Sequence, residues 1–302
     1  NSYQKSIDAI EQITSIKPLF IKGDIKSISD LDNLFSKNRF DNVIHFAAAK
    51  AIGESVRNPM KYYENNILGT INLLGIMQKY DVKDLVFSSS ASIYGDPKEV
   101  PISEEFSKIP TNPYGKSKLT CEEILESLVN SENHFNIASL RYFNPIGAHE
   151  TGLMGESPVV PHNIMPIIAD VLMGRKSYLE VYGDDYPTND GTCIRDYLHI
   201  QDLIEGHLAA LSYLKNNNGF SAFNLGSGEG TSVIELIRKF EEVTSKKVSI
   251  EFSARRPGDV SVLFTSPSKA LKILNWKTKR DLGQMCEDTW RWLKSNPNGF
   301  NS

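Results

Sequence analysis

The stretch "DLVFSSSASIYG", residues 84–95, decides the fold. A short apolar run that gives way at once to small hydroxyl residues and a glycine is the pattern of a strand buried on both faces, with its carboxyl end open to a crevice. Working outward, "DNVIHFAAA" (41–49) and "KPLFIKGDI" (17–25) precede it with the same texture, and "NIASLRYFNPIGA" (136–148) comes after it. Between these runs, helical periodicity covers 28–37, 61–80 and 113–130, the last opening at Pro113. Parallel strands need such crossovers, so the order predicts an α/β protein with a doubly wound parallel sheet. Four of its strand ends, "GDI", "FAAAK", "SSSAS" and "RYFNP", point toward one crevice.

Beyond residue 150 the chain changes to loops punctuated by glycine and proline. A helix at 202–214, a strand-turn-helix through "AFNLGSGEGTSVIELIRKF" and a final helix near 282–294 complete it. This predicts a first domain over 1–150 and a smaller α/β lobe over 151–302, exchanging elements with it. The 302 residues, 40% hydrophobic and 23% charged, suffice for one large or two modest cores. A net charge of −4 gives no general attraction to nucleic acid or to an anionic membrane. Cys121, Cys193 and Cys286 are too scattered for a disulfide framework or a zinc site, which suits a reducing compartment. The polar start "NSYQKSIDAI" has no signal-peptide core, and Pro161, Pro166 and Asp170 interrupt the apolar stretch 159–173, so a cytoplasmic protein is expected.

Two of the twelve tyrosines have a lysine four residues later. Tyr94 and Lys98 are separated by "GDP", a turn that cannot keep both on one helical face. Tyr114 and Lys118, in "NPYGKSK" (112–118), come directly after Pro113 and precede Leu119, Ile124, Leu125 and Leu128, so they share a face one turn apart. A tyrosine with a pKa of about 10 is a poor base at neutral pH, and a neighbouring ammonium would lower it. Hydroxyls of Ser88–Ser90 could bind the same reacting oxygen. The residues alone leave two readings open: an acid/base unit, or a polar helix turn beside a serine-rich strand end.

Taken together, "FSSSASIYG", "NPYGKSK" and "RYFNPIGAH" resemble the extended short-chain dehydrogenase/reductase family, in particular its sugar-nucleotide 4-epimerases. "HFAAAKAIGESVRNP", "YYENNILGT", "GDDYPTNDGTCIRDYLHI", "NLGSGEGTSV" and "RRPGD" extend the resemblance along the chain, in order. The resemblance implies a Rossmann-like sheet, a tightly held NAD, UDP-glucose and UDP-galactose as substrates, and reversible epimerisation at C4 through a 4-keto sugar. It makes Tyr114 the base, Lys118 the residue that lowers its pKa and holds the nicotinamide ribose, and Ser90 a partner of the sugar 4-hydroxyl. Asp24, Ile25, Phe46, Ala47, Lys50, Asn65, Ser88 and Tyr142 match cofactor positions. Asn144, Asn163, Tyr182, Arg195, Arg256 and Asp259 match the residues that hold the nucleotide, the arginines offering fixed forks to phosphate oxygens. A homodimer through the helices 61–80 and 113–130 is implied as well.

The sequence also departs from that pattern. Its beginning resembles the segment just after the family's second strand, so that roughly 35 residues, including the first two strands and the glycine-rich phosphate turn, have no counterpart here. Such a chain is expected either to be a piece of a longer protein or to bind cofactor poorly, and a silent sugar-nucleotide-binding or scaffold protein is the alternative function. Ala48 stands where relatives often carry glycine. Leu263 falls where a bulky residue excludes N-acetylated sugars and a small one admits them, so UDP-N-acetylhexosamines are expected to be poor substrates. After Ser90 come Ala91 and Ser92, with no carboxylate of the kind a 4,6-dehydratase would use to eliminate water.

Overall fold

The computed structural model describes residues 3–132, 135–158, 161, 163–256 and 258–301. Its centre is a four-stranded sheet in the order β1 (Asn42–His45), β2 (Asp84–Ser88), β3 (Asn136–Tyr142) and β8 (Gly219–Leu225). Every pairing is parallel, with Ile44 opposite Val86, Phe87 opposite Ser139, and Leu140 opposite Phe223. Because successive side chains alternate between faces, Leu85 and Phe87 enter one core and Val86 the other. Helices α2 (Ile28–Lys37), α5 (Gly69–Lys79) and α6 (Pro113–Glu132) cover the first face through Phe35, Met77 and Leu125. Helices α8 (Ile200–Leu214) and α10 (Ser268–Leu274) cover the second through Leu203, Ala210 and Ala270. The sheet is therefore wound on both sides, as the sequence pattern predicts.

Two expectations fail locally. Residues 17–25 do not form a strand; Leu19, Phe20 and Ile21 are exposed, and β1 pairs only with β2 among the described residues. An apolar run becomes a strand only where a neighbour accepts its backbone hydrogen bonds. Here the run instead enters an Asx turn, in which Asp24 accepts from the Lys26 amide at 2.9 Å, and Ser27 then caps α2. The second failure is the helix expected over 61–80. It is split into α4 (Pro59–Tyr62), a π-helical turn (Tyr63–Leu68) and α5, preceded by a short α3 (Ile52–Arg57). A π turn inserts one extra residue and so rotates the rest of the helix about its axis, and such turns favour functional sites.

The second lobe packs α7 (Ile164–Leu172), α9 (Val233–Thr244) and α11 (Leu282–Ser295) around a core that includes Ile168, Leu236, Phe240 and Cys286. A full capping box starts α9, Ser232 accepting from the Glu235 amide and Glu235 reaching back. Small parallel pairs join β4 (Asn144–Ile146) to β7 (Tyr197–His199) and β5 (Leu179–Tyr182) to β10 (Ile250–Ser253). The central strand β6 (Ile194–Arg195) joins β9 (Thr231–Ser232) and β11 (Val262–Leu263). Residue 150 does not cut the molecule cleanly, since β8, α8 and α10 return to the first sheet while β4 leaves it. A remaining helix, α1 (Gln4–Thr14), begins the described chain. Residues 159, 160 and 162 of the apolar stretch and Pro257 of "RRPGD" lie outside the described residues. No described helix is long and apolar enough to cross a membrane.

Candidate active site

The carboxyl end of β2 runs into a single 3-10 turn, Ala91–Tyr94, capped by the Ser90 hydroxyl, which accepts from the Ser92 amide at 3.2 Å. Against this turn lies the start of α6, where Asn112 accepts from the Gly115 amide at 2.9 Å. Gly115 permits the approach: a Cβ there would stand 2.5 Å from the Ser92 carbonyl oxygen. The contact brings Tyr114 and Ser90 together, both buried, with Ser90 close enough to hold the Tyr114 pKa down against burial. Tyr142, at the end of β3, stands close enough to Tyr114 to raise its pKa, and burial pushes the Tyr142 hydroxyl up as well. Tyr62 meets the Tyr114 ring edge-on, with centroids 6.4 Å apart.

Lys118 lies one turn further along α6 and is only 4% exposed. Its ammonium donates to the Ser88 carbonyl at 2.6 Å and sits 4.9 Å from the centre of the Phe87 ring. Burial pushes its pKa down to about 8, against weaker upward pulls from Cys121 and Glu122. The Tyr114 hydroxyl is pushed the other way, up, chiefly by burial and by Tyr142, with Ser90 opposing. In this structure burial dominates the phenol, while the Lys118 ammonium makes its hydrogen bond to the Ser88 carbonyl. One consequence concerns stability. Since the folded pKa is below the unfolded value, the unfolded chain binds more protons between about pH 8 and 10.5, and this group's contribution to stability rises with pH across that window. The difference between the parent and Lys118→Met in urea unfolding should show that slope; a flat difference would refute it.

The loop after β1 carries Phe46 and Ala47, and its position depends on a residue that the motifs do not single out. Asn66 accepts from the Ala49 amide at 2.8 Å, donates to the Ala49 carbonyl at 3.1 Å and donates to the Ser117 hydroxyl at 2.9 Å. Its neighbour Asn65 donates only to Asn66 among the hydrogen bonds seen, at 3.1 Å. Which of two adjacent asparagines turns inward is set by the π turn, which no periodicity announces. Phe46 is 55% exposed and stacks near His207 at 4.7 Å between centroids, with Tyr142 at 6.1 Å from the same imidazole. His207 pairs Nδ1 with the Leu203 carbonyl at 2.9 Å, and its buried Nε2 has no partner. An exposed aromatic beside an orphaned buried nitrogen, at the ends of β1 and β3, fits a flat cofactor with polar edges. Asp24 and Ile25 stand elsewhere, in the turn ahead of α2, where Ile25 packs against Gly69.

Across the crevice, Glu156 accepts from Asn163 at 2.6 Å and from Lys50 at 3.5 Å, joining a residue of the first sheet's loops to one of the second lobe. Asn144 opens β4, its amide donating to the Asp196 carbonyl at 2.9 Å. Arg195 donates to the Val260 carbonyl at 2.8 Å and stands 3.8 Å from Asp259, and Leu263 is its partner in the strand register. The Arg256 guanidinium lies over the Tyr182 ring at 3.8 Å. Sequence-predicted residues thus gather into a hydroxyl and lysine cluster and a cationic, aromatic wall.

The whole arrangement can be set beside known proteins. The chain is 47% identical over 303 residues to the UDP-glucose 4-epimerase of Bacillus subtilis (strain 168), a match covering 100% of this chain and 89% of that one. The chain belongs to the UDP-glucose 4-epimerase family. A bifunctional UDP-glucose and UDP-xylose 4-epimerase of Pisum sativum is equally similar, at 47% identity over 99% of this chain and 88% of its own. Among solved structures, the UDP-glucose 4-epimerase of Bifidobacterium longum in complex with NAD+ and UDP superposes with a TM-score of 0.96 at 43% identity, covering 99% of this chain and 90% of that one. The Stenotrophomonas maltophila enzyme, with bound NAD and formylated UDP-arabinopyranose, gives 0.95 at 43% identity over 98% and 89%. The broader family described as GDP-mannose 4,6 dehydratase matches residues 1–289. For an epimerase the segment after Ser90 is apt: Ala91 is buried, Ser92 accepts from the Ser90 hydroxyl at 3.2 Å, and no carboxylate comes directly after them.

Proposed function

We propose that this chain interconverts UDP-glucose and UDP-galactose by removing and restoring hydrogen at C4, with Tyr114 moving the proton of the 4-hydroxyl. The observation that carries this reading is the meeting of Tyr114 and Ser90 at the end of β2, with Lys118 one helical turn away, in a chain 47% identical to a UDP-glucose 4-epimerase. The cofactor is NAD, which would supply the hydride chemistry at C4 that side chains cannot. Phe46, Ala47, Tyr142 and Lys118 would hold its nicotinamide end, and Asn66 keeps their loop against α6. Ser90 orients the 4-hydroxyl toward Tyr114. Tyr114 accepts the proton, and the phenolate so formed is favoured by the positive charge of Lys118, most of which is present at neutral pH given a pKa of about 8. The proton then returns to the same oxygen as the 4-keto sugar is reduced.

Asn144, Asn163, Tyr182, Arg195, Arg256 and Asp259 hold the uridine diphosphate on this reading, the arginines neutralising its phosphates. Asp24, Ile25, Lys50, Asn65 and Ser88 complete the cofactor side. Leu263, in register with Arg195, limits room beside the sugar, so N-acetylated substrates should turn over poorly. Exposed Leu68 and Ile71, with half-buried Ile124 and Leu128 on α6, support a homodimer through these helices, measurable by light scattering. Three free, buried cysteines support a cytoplasmic setting. The test is to supply UDP-galactose: UDP-glucose of unchanged mass should appear, at a rate well above that with UDP-N-acetylgalactosamine. A product lighter by one water would mean a dehydratase, UDP binding without conversion a silent binder, and equal rates with both sugars would remove the role given to Leu263.

A further inference from the structure

Arg195 and Leu263 stand on three strands of two residues each, β6 lying between β9 and β11. Pairs this short make few backbone bonds and are well below the usual strand length. Toward β11, Ile194 donates to the Ser261 carbonyl at 2.8 Å, and Asp196, the first residue past β6, donates to the Leu263 carbonyl at 3.1 Å. The Arg195 guanidinium leans on the same outer segment, through Val260 and Asp259. A further clamp comes from the Asp196 side chain, which is 0% exposed. Its Oδ1 accepts from the Ser227 amide and the Ser227 hydroxyl, both at 2.7 Å. Its Oδ2 accepts from the Gly228 amide at 3.2 Å and from the Thr265 amide at 3.1 Å. Ser227 and Gly228 belong to the turn that leads into β9, and Thr265 lies just beyond β11. One carboxylate at the end of the central strand therefore holds both outer strands.

Hydrogen bonds to an ionised acceptor are stronger than those between neutral groups, so four donors on one carboxylate make a firm junction. The fit depends on Gly226, where a Cβ would stand 2.4 Å from Oδ2. The backbone of Asp196 extends the junction toward the first sheet, its carbonyl accepting from the Asn144 amide at 2.9 Å. Asn144, Arg195 and Leu263 are thus each one hydrogen bond or one peptide from Asp196. Among the described residues its bonds go to none of Tyr114, Ser90 and Lys118, which stand on β2, its following turn and α6.

Resting on the sugar-nucleotide reading above, we propose that Asp196 is a positioning residue for substrate binding: its carboxylate pins the turn before β9 and the segment after β11 to β6, and so fixes Asn144, Arg195 and Leu263 where they meet the substrate. Asp196→Asn keeps the shape, but its NH2 group must face N–H donors on one side or the other, which releases one outer strand. Steady-state kinetics with UDP-galactose, calorimetric titration with UDP and thermal unfolding compare the variant with the parent. KM should rise about tenfold and UDP should bind about tenfold more weakly, with kcat within about threefold of the parent, as when binding shared by ground and transition states is lost. KM and UDP affinity within about twofold of the parent, whatever happens to kcat and the melting temperature, would overturn the proposal, since the carboxylate would then merely support the fold. Ser227→Ala removes the hydroxyl bond and leaves the three amide bonds, so it should move KM in the same direction by about two- to threefold. If Asp196→Asn does not fold, an unchanged KM in Ser227→Ala would overturn the proposal. A parent protein that neither binds UDP nor converts UDP-galactose would instead overturn the sugar-nucleotide reading itself, and the proposal with it.

Discussion

Tyr114→Phe is expected to lower kcat for UDP-galactose by a factor of about 10²–10⁴, the usual range for loss of a positioned acid/base group, while UDP binds as before. The reasoning is geometric. The hydroxyl lies close enough to Ser90 for the serine to act on its pKa, and the approach of α6 to the 3-10 turn that places it there depends on Gly115. Phenylalanine retains the ring, including its edge-on contact with Tyr62, so the fold and the nucleotide wall are undisturbed. Only the proton acceptor is lost. Ser90→Ala should lower kcat less, since it removes orientation and leaves the base. Steady-state rates combined with UDP displacement measure both. A phenylalanine variant with a kcat within about threefold of the parent would assign the proton to another group.

Arg141→Met is expected to destabilise the fold by about 3–5 kcal/mol, as breaking a buried ion pair from one side does. Arg141 on β3 and Glu122 on α6 are both buried, and the guanidinium meets the carboxylate at 2.7 Å. Ser139 donates to the same carboxylate at 2.8 Å. On its other side Arg141 donates to the Tyr94 hydroxyl at 3.0 Å, which in turn donates to Asn224 at 2.7 Å, so the network links β3, α6, the 3-10 turn and β8. Burial alone would raise the Glu122 carboxyl, but the hydrogen bonds and charge of Arg141, with help from Ser139, hold it below the ordinary carboxylate range. Because the folded value is depressed, the stabilisation is present above the ordinary carboxylate pKa and is lost as pH falls through the folded one. Urea unfolding should show the penalty of Arg141→Met shrinking in acid. Adding Glu122→Met should recover much of the loss, since no charge is then left buried alone. A single-variant loss under about 1 kcal/mol would mean that the pair contributes no more than a surface bridge.

Part of this could be read along the chain. The alternation of short apolar runs with helical periodicity determined the parallel sheet, because burial on both faces leaves no other place for a run such as "DLVF". The pairing of Tyr114 with Lys118 came from a proline start and a helical period, both local properties, and the resemblance of motifs in order identified the family. Tertiary structure decided the rest. Residues 17–25 are apolar enough for a strand, yet backbone pairing depends on what lies alongside, and their composition cannot specify that. The choice of Asn66 over Asn65 as the clamp on the Ala49 loop came from a one-residue shift in a π turn. The direction of the Lys118 ammonium, toward the Ser88 carbonyl, and the reach of the Asp196 carboxylate to Ser227 and Thr265 came from packing between segments far apart in sequence. Helical and strand periods report which residues share a face, whereas a hydrogen bond is made or missed over a fraction of an ångström, a distance that only the assembled fold defines.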